Sequence, residues 1–191
     1  MDDECNEVVD CFDHSDEIDC EIVKIDARTY RKEYPPMEKD GQESRRKIPV
    51  NVSMSISAIS NILDIKESFQ AKFTIILQWY DNRLAFYFLR NSTTSNLIGG
   101  EEKNLVWIPP LIFNSTDSNE MIVNNPSSNM FVRKRGAGEF FDLSNVNEGT
   151  IYKGSENPLL FTSKYVSTHH CVFELHYYPF DTQICEIQVI K

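Results

Sequence analysis

Cys171-Val172-Phe173-Glu174-Leu175-His176-Tyr177-Tyr178-Pro179-Phe180-Asp181-Thr182-Gln183-Ile184-Cys185 is the stretch whose reading decides the fold. Two cysteines flank thirteen residues. Cys171, Phe173 and Leu175 alternate with Val172, Glu174 and His176, the period of a strand. The chain then turns at Pro179 and returns through the alternating Ile184, Glu186, Ile187, Gln188 and Val189. A disulfide closing such a loop would stabilise it by about 3 kcal/mol, mainly by restricting the unfolded chain. Tyr178-Pro179 is a candidate cis peptide, because an X–Pro bond has lost most of its trans preference. On spacing alone this is a stapled hairpin of a secreted β-protein.

Outward from that loop the sequence keeps the same period. Val50, Val52, Met54 and Ile56 alternate with Asn51, Ser53, Ser55 and Ser57, a clear strand signal. Phe69 to Trp79 reads as a second long strand, and Leu84 to Leu89 as a third after the Asp81-Asn82 turn. Shorter β-type runs follow at Leu105–Ile108, Leu111–Phe113, Met130–Arg133, Gly149–Lys153 and Leu159–Val166. Ile22, Ile25, Tyr30 and Tyr34 give a weak helical pattern that Pro35-Pro36 stops, and Met37 to Lys47 reads as a polar loop. The expected fold is all-β: an antiparallel, Ig-like β-sandwich with a short N-terminal helix.

The interior of the late loop, Tyr178-Pro179-Phe180-Asp181-Thr182-Gln183, closely resembles the signature loop of the Cys-loop, or pentameric neurotransmitter-gated, receptor family. Three further motifs stand in that family's order: Pro49-Val50-Asn51-Val52, Trp79-Tyr80-Asp81-Asn82-Arg83-Leu84 and Trp107-Ile108-Pro109. Each is weak alone, and four in order across about 140 residues are strong. The resemblance implies that residues 21–191 are an extracellular ligand-binding domain cut before its loops B and C and the transmembrane region. It also implies a Cys171–Cys185 disulfide, with Tyr178, Pro179, Phe180 and Asp181 coupling agonist binding to the pore beneath. The partners implied are identical or homologous subunits in a pentamer, a small-molecule agonist, and the cell membrane, with the domain on its extracellular side.

In that family the agonist lies between subunits. Carried over by position, the loop A residues are Asn114 or Ser115, and the neighbour's face is Thr74, Ile76, Thr162 and Lys164. Three departures matter. Thr74 stands where many members place an aromatic that holds a cationic amine. Ile76 stands where anion-binding members often have Arg. Pro110 replaces the acid of Trp-x-Pro-Asp.

The first twenty residues are different in kind. They hold nine acids and no Lys or Arg, leaving 20 acids against 19 bases in the remainder, which offers no nucleic-acid face. Cys5, Cys11 and Cys20, with Asp10, Asp16 and Glu17, resemble the second half of an LDL-receptor class A module. That resemblance implies a Cys5–Cys20 bond, an unpaired Cys11, and Ca²⁺ ligation by Asp10, Asp16 and Glu17. Ca²⁺ takes six to eight oxygens, which three carboxylates do not supply alone. The expected division is therefore 1–20, a small truncated disulfide/Ca-type module, and 21–191, the β-domain, which needs no cofactor.

Cysteines clustered at the two ends fit two disulfide-bearing units in an oxidising compartment. Asn51, Asn91 and Asn114 open sequons and are candidate glycan acceptors. No apolar leader follows Met1 and no run approaches the ~20 apolar residues of a membrane span, so a fragment or incomplete gene model is expected.

Nothing in the sequence suggests an enzyme. Adjacent His169 and His170 point to opposite strand faces, and His170 and His176 would lie about 20 Å apart on an extended strand. Gly136-Ala137-Gly138 lacks the Lys-Ser/Thr of a phosphate loop. Beside the channel domain stand a soluble secreted binder on the same fold and an adhesion module using the acidic unit. Four apolar spans after Lys191 would favour the channel, an early stop the soluble binder.

Overall fold

The computed structural model describes residues 21–39, 45–113, 128–141 and 149–190. The sequons at Asn114, the loop A positions Asn114 and Ser115, and everything assigned to residues 1–20 (Cys5, Cys20, Asp10, Asp16 and Glu17 included) lie outside the described residues. The described strands are β1 (Val23–Ile25), β2 (Met37–Lys39), β3 (Arg45–Lys47), β4 (Asn51–Leu63), β5 (Ser68–Trp79) and β6 (Leu84–Tyr87). They continue as β7 (Ile112–Phe113), β8 (Asn129–Val132), β9 (Glu139–Phe141), β10 (Gly149–Lys153), β11 (Leu159–His170) and β12 (Val189–Ile190). The one α-helix among the described residues is α1, Gly100–Leu105. Two four-stranded sheets run β1-β6-β10-β9 and β4-β5-β11-β8, and two-stranded sheets join β12 to β7 and β2 to β3. Mostly sheet, with antiparallel pairing and almost no helix, the chain is consistent with a β-sandwich.

By internal contacts the chain divides into two compact units. The first takes residues 1–49, 78–107 and 130–160. Its sheet is set by register: Val23 faces Phe86, which faces Tyr152 across the next strand, and all three are buried. Cross-strand apolar rows of this kind are what stabilise a half-buried sheet. Trp79 and Trp107 meet edge to face with ring centroids 6.1 Å apart, a favoured aromatic geometry.

The Trp79–Leu84 motif supplies that unit's polar anchor. The Asp81 carboxylate, wholly buried, accepts from Arg83 N (3.1 Å), Nε (2.8 Å) and Nη2 (2.7 Å). Arg83 Nη1 donates to the Arg31 and Tyr34 carbonyls, and the guanidinium stacks 4.5 Å from the Tyr30 ring. Asp81 holds the guanidinium charged against the opposing cost of its burial, and the Arg83 pKa rises. Tyr30 Oη in turn accepts from Trp107 N at 2.7 Å. One acidic and one basic residue thus fasten the segment before Pro35-Pro36 to the β5–β6 turn and to Trp107.

Tyr30 carries a pH signature. Desolvation by burial pushes its phenol up to about 12, overcoming the lowering effect of the Trp107 N–H. A phenol raised in the fold contributes stability that is full below pH 10 and is lost between pH 10 and 12. The urea midpoint is therefore expected to fall from pH 9 to pH 11.5, and to fall less in Tyr30→Phe. An equal fall in both would show that other groups carry the alkaline loss.

The second unit takes residues 50–77, 108–129 and 161–191. Strand alternation builds its core: Phe69, Ala71, Phe73, Ile75 and Leu77 are all buried on β5, as are Phe161, Ser163, Tyr165, Ser167 and His169 on β11. Phe73, Phe113 and Tyr165 form a ring triad with centroids 5.1–5.7 Å apart. β4 behaves otherwise. It is a strand, as its alternation predicts, yet all thirteen residues are exposed. β4 joins β5 through the turn Asp64–Glu67, where Glu67 N donates to Asp64 O at 3.1 Å.

Four expectations fail locally. No N-terminal helix forms over Ile22–Tyr34: Val23–Ile25 pairs with β6, and Asp26 then closes a single turn by accepting from Arg28 N and Thr29 Oγ1. Leu105–Ile108 is not a strand, because α1 occupies Gly100–Leu105 and Glu102 binds Val23 N at 2.8 Å. The charged stretch Met37–Lys47 is partly sheet, since β2 pairs with β3. Finally, Cys171–Leu175 is not a strand, for β11 ends at His170 and Leu175–Tyr177 forms a 3-10 turn.

Candidate functional site

The residues 171–185 loop shows how a strand-like sequence becomes a rigid turn. Cys171 and Cys185 form a disulfide with Cα atoms 5.3 Å apart, within the span such a bond requires. The Gln183 amide does the work of a ladder pair: its Oε1 accepts from Glu174 N at 3.1 Å and its Nε2 donates to Glu174 O at 3.0 Å. The same Nε2 also donates to Asp181 Oδ2. Backbone groups that alternation would assign to a sheet are thus satisfied by a side chain. Tyr178-Pro179 is cis.

Beyond the disulfide the loop presents its apolar side chains to solvent. Phe180 is 91% exposed, Tyr177 79% and Tyr178 75%. Pro179 is exposed and Asp181 half-buried. Beside this tip an open groove of about 750 Å³ lies between Met54, Ile56 and Ile59 of β4 and Phe173, Tyr178 and Ile187. Asp64 of the β4–β5 turn lines the same groove as Asp181.

The other candidate residues share a sheet face. Thr74 and Ile76 on β5, and Thr162 and Lys164 on β11, occupy adjacent strands, opposite the buried positions of each. Ile76 and Lys164 are exposed, Thr74 and Thr162 half-buried. Asn51 is exposed at the start of β4 and Asn91 in the turn after β6. His169 is buried against Phe69 and bonded to Ser167 Oγ through Nε2 at 2.7 Å, while His170 points outward. Gln183 is the residue that motif reading names but gives no task. Its signal was its place two residues before the second cysteine, opposite Glu174.

A disulfide-clamped turn bearing exposed aromatics, on antiparallel sheets with an accessible strand face, makes this an all-β domain of the disulfide-loop kind. The chain belongs to the neurotransmitter-gated ion-channel ligand-binding domain family, whose model matches residues 22–190. It is therefore not an enzyme. It is 28% identical to the acetylcholine receptor subunit delta of Xenopus laevis over 185 residues, which cover 93% of this chain and 29% of that one. It is 22% identical to a gamma-aminobutyric acid receptor subunit beta-like protein of Drosophila melanogaster, covering 73% and 26%. A gamma-aminobutyric acid receptor subunit beta of Lymnaea stagnalis is 20% identical, covering 74% and 26%. The chain spans less than a third of the length of these relatives. No helix among the described residues is long and apolar enough to cross a membrane.

Proposed function

We propose that the chain is the agonist-sensing extracellular part of one subunit of a pentameric ligand-gated ion channel, its sheets closed as an Ig-like sandwich. The carrying observation is the disulfide-closed loop, fixed at its base by Gln183 and offering Tyr178, Pro179 and Phe180 outward, with Asp181 half-buried and hydrogen-bonded to Gln183. A rigid turn of that kind can transmit displacement to whatever it touches, which here is the pore domain. Thr74, Ile76, Thr162 and Lys164 present the face a neighbouring subunit's ligand would meet, with a small-molecule transmitter as agonist. Thr74 offers no aromatic ring to a cation and Ile76 no guanidinium to a carboxylate. Asn114 and Ser115 complete the reading as loop A, and Asn51 and Asn91, both exposed, are candidate glycan acceptors beside Asn114.

The test is a chimera in which residues 21–190 replace the matching part of a gamma-aminobutyric acid receptor beta subunit, recorded in oocytes. Phe180→Ala is expected to raise the half-activating agonist concentration about tenfold at unchanged surface expression, the effect of losing ~1.4 kcal/mol of coupling. Ile76→Arg is expected to alter agonist sensitivity without changing assembly. Surface-expressed chimeras whose gating ignores both substitutions would sink the reading.

For residues 1–20 the LDL-receptor class A half-module stands on cysteine spacing. Its three acids, Asp10, Asp16 and Glu17, do not complete a Ca²⁺ shell, and no step depends on that ion.

A further inference from the structure

β4 ends its sheet. The order β4-β5-β11-β8 gives it β5 on one side and, among the described residues, no strand on the other. The far edge of that sheet is treated differently. Beyond β8 the backbone of residues 96–98 closes it: Ile98 N donates to Met130 O at 2.8 Å and Val132 N to Asn96 O at 3.0 Å. One edge is therefore capped, and the other, thirteen residues long and exposed throughout, is open.

An open edge presents a row of unpaired N–H and C=O groups, and proteins ordinarily blunt it with lysine, proline or a bulge. Asn51–Leu63 holds no charged residue and no proline, in a chain of which 25% is charged. From Val50 to Ala58 the period of two is unbroken; beyond it Ile59 and Ile62 fall out of step, and Asn61 takes φ 47. Val52, Met54 and Ile56 are 49%, 38% and 52% exposed. An added strand would pair the free backbone groups and cover these side chains together. What fits there is written in the strand itself. An antiparallel partner must be uncharged and must alternate in step, because residues directly opposite each other share a face. About a two-fold axis at Met54 the segment meets itself: Met54 opposes Met54, Val52 opposes Ile56 and Val50 opposes Ala58, while Ser53 opposes Ser55 and Asn51 opposes Ser57. Every apolar residue meets an apolar one and every polar residue a polar one.

We propose that the open edge of β4 is a contact surface for a second copy of this chain, the two strands pairing antiparallel about the axis at Met54. Such a contact uses the same patch on both copies, and because the other edge of the sheet is capped it closes at two and does not propagate. Asn51 lies on the serine face, where its side chain stands off the sheet, so a glycan there leaves the backbone edge free. The nine residues from Val50 to Ala58 make a ladder roughly 30 Å long. That is short of a standard protein–protein interface, so the association is weak and depends on concentration. The inference stands on β4 and takes nothing from the channel reading.

The experiment uses the full 191-residue chain, its free thiols alkylated so that no covalent dimer forms, with mass measured by sedimentation across a range of concentrations. The wild type is expected to pass from one copy to two. Met54→Lys sets two like charges opposite each other at the axis and should raise the dimer dissociation constant at least about tenfold. Met54→Glu should do the same. Mixing the two variants should restore the dimer, because position 54 of one copy faces position 54 of the other, and that recovery also shows that both variants fold. Ile65→Lys is the control: Ile65 is 94% exposed but lies in the turn after β4, and its loss should leave association unchanged. A wild type that stays single at every concentration would overturn the pairing. So would an assembly of any size that survives Met54→Lys, or a mixture of the two Met54 variants that stays apart. A loss in Ile65→Lys as large as in Met54→Lys would replace the pairing by general apolar adhesion. None of these substitutions enters the chimera, so failure here and failure there are separate results.

Discussion

Arg83→Ala is expected to destabilise the protein by about 3–5 kcal/mol, the cost of breaking a buried ion pair by removing one partner. The reason is an asymmetry of burial. Asp81 has no exposed side-chain surface, whereas about a quarter of the Arg83 side chain reaches solvent. Without the guanidinium, the carboxylate loses the Nε and Nη2 bonds and keeps the backbone N–H of residue 83 and its contact with Tyr30. The Arg31 and Tyr34 carbonyls and the Tyr30 ring lose their cation in the same stroke. Asp81→Asn is expected to cost less, about 1–3 kcal/mol, because the amide can still accept while Arg83 keeps its other contacts and its access to water. Urea denaturation of the three proteins at pH 7 decides it. Equal losses would mean that the two groups are equally hydrated, and a larger loss in Asp81→Asn would remove the buried carboxylate as the anchor.

How far the fold was legible depended on whether one residue's neighbours in sequence were also its neighbours in space. Phe69 to Leu77 and Leu159 to Val166 announce their strands, because period two places every second side chain in a core. β4 announces its strand equally well, but alternation cannot say what covers a face, and Val52, Met54 and Ile56 stand in solvent. α1 has six residues, too few to show a period of 3.6. The paired β2 and β3 are written almost wholly in charged residues, which carry no apolar alternation. Ile22–Tyr34 misleads because Ile22, Ile25, Tyr30 and Tyr34 give a weak helical pattern while the β-branched Val23 and Ile25 are claimed by β6, a tertiary choice. The same holds at the site. That Thr74, Ile76, Thr162 and Lys164 would share one exposed face needed β11 to lie beside β5, which no local pattern states. His170 Nδ1 and the Glu67 carbonyl, 2.8 Å apart although 103 residues separate them in sequence, are brought together by that same strand arrangement.

The loop offers the second large effect. Replacing Cys171 and Cys185 together by serine is expected to lower stability by about 3 kcal/mol, the chain entropy recovered when a closed loop of fifteen residues is released in the unfolded state. Two contacts oppose a complete loss of the native turn. Gln183 still ties its two limbs through Glu174, and Cys171 N still donates to Glu67 O. The double serine variant should therefore keep the loop's position but add mobility, seen as faster amide exchange from Val172 to Ile184 and unchanged exchange in the β1-β6-β10-β9 sheet. Adding Gln183→Ala to it removes both amide bonds to Glu174, and the loop should then exchange near the rate of an unstructured chain. If Gln183→Ala changed nothing in the reduced background, the side-chain pairing would have no share in shaping the turn, and the disulfide alone would hold it. If the double serine variant already exchanged freely, the hydrogen bonds at Glu174 and Glu67 would be consequences of the covalent link. The predicted ordering, with each loss adding to the one before, requires both devices to act on the same turn, one on the unfolded chain and the other on the folded one.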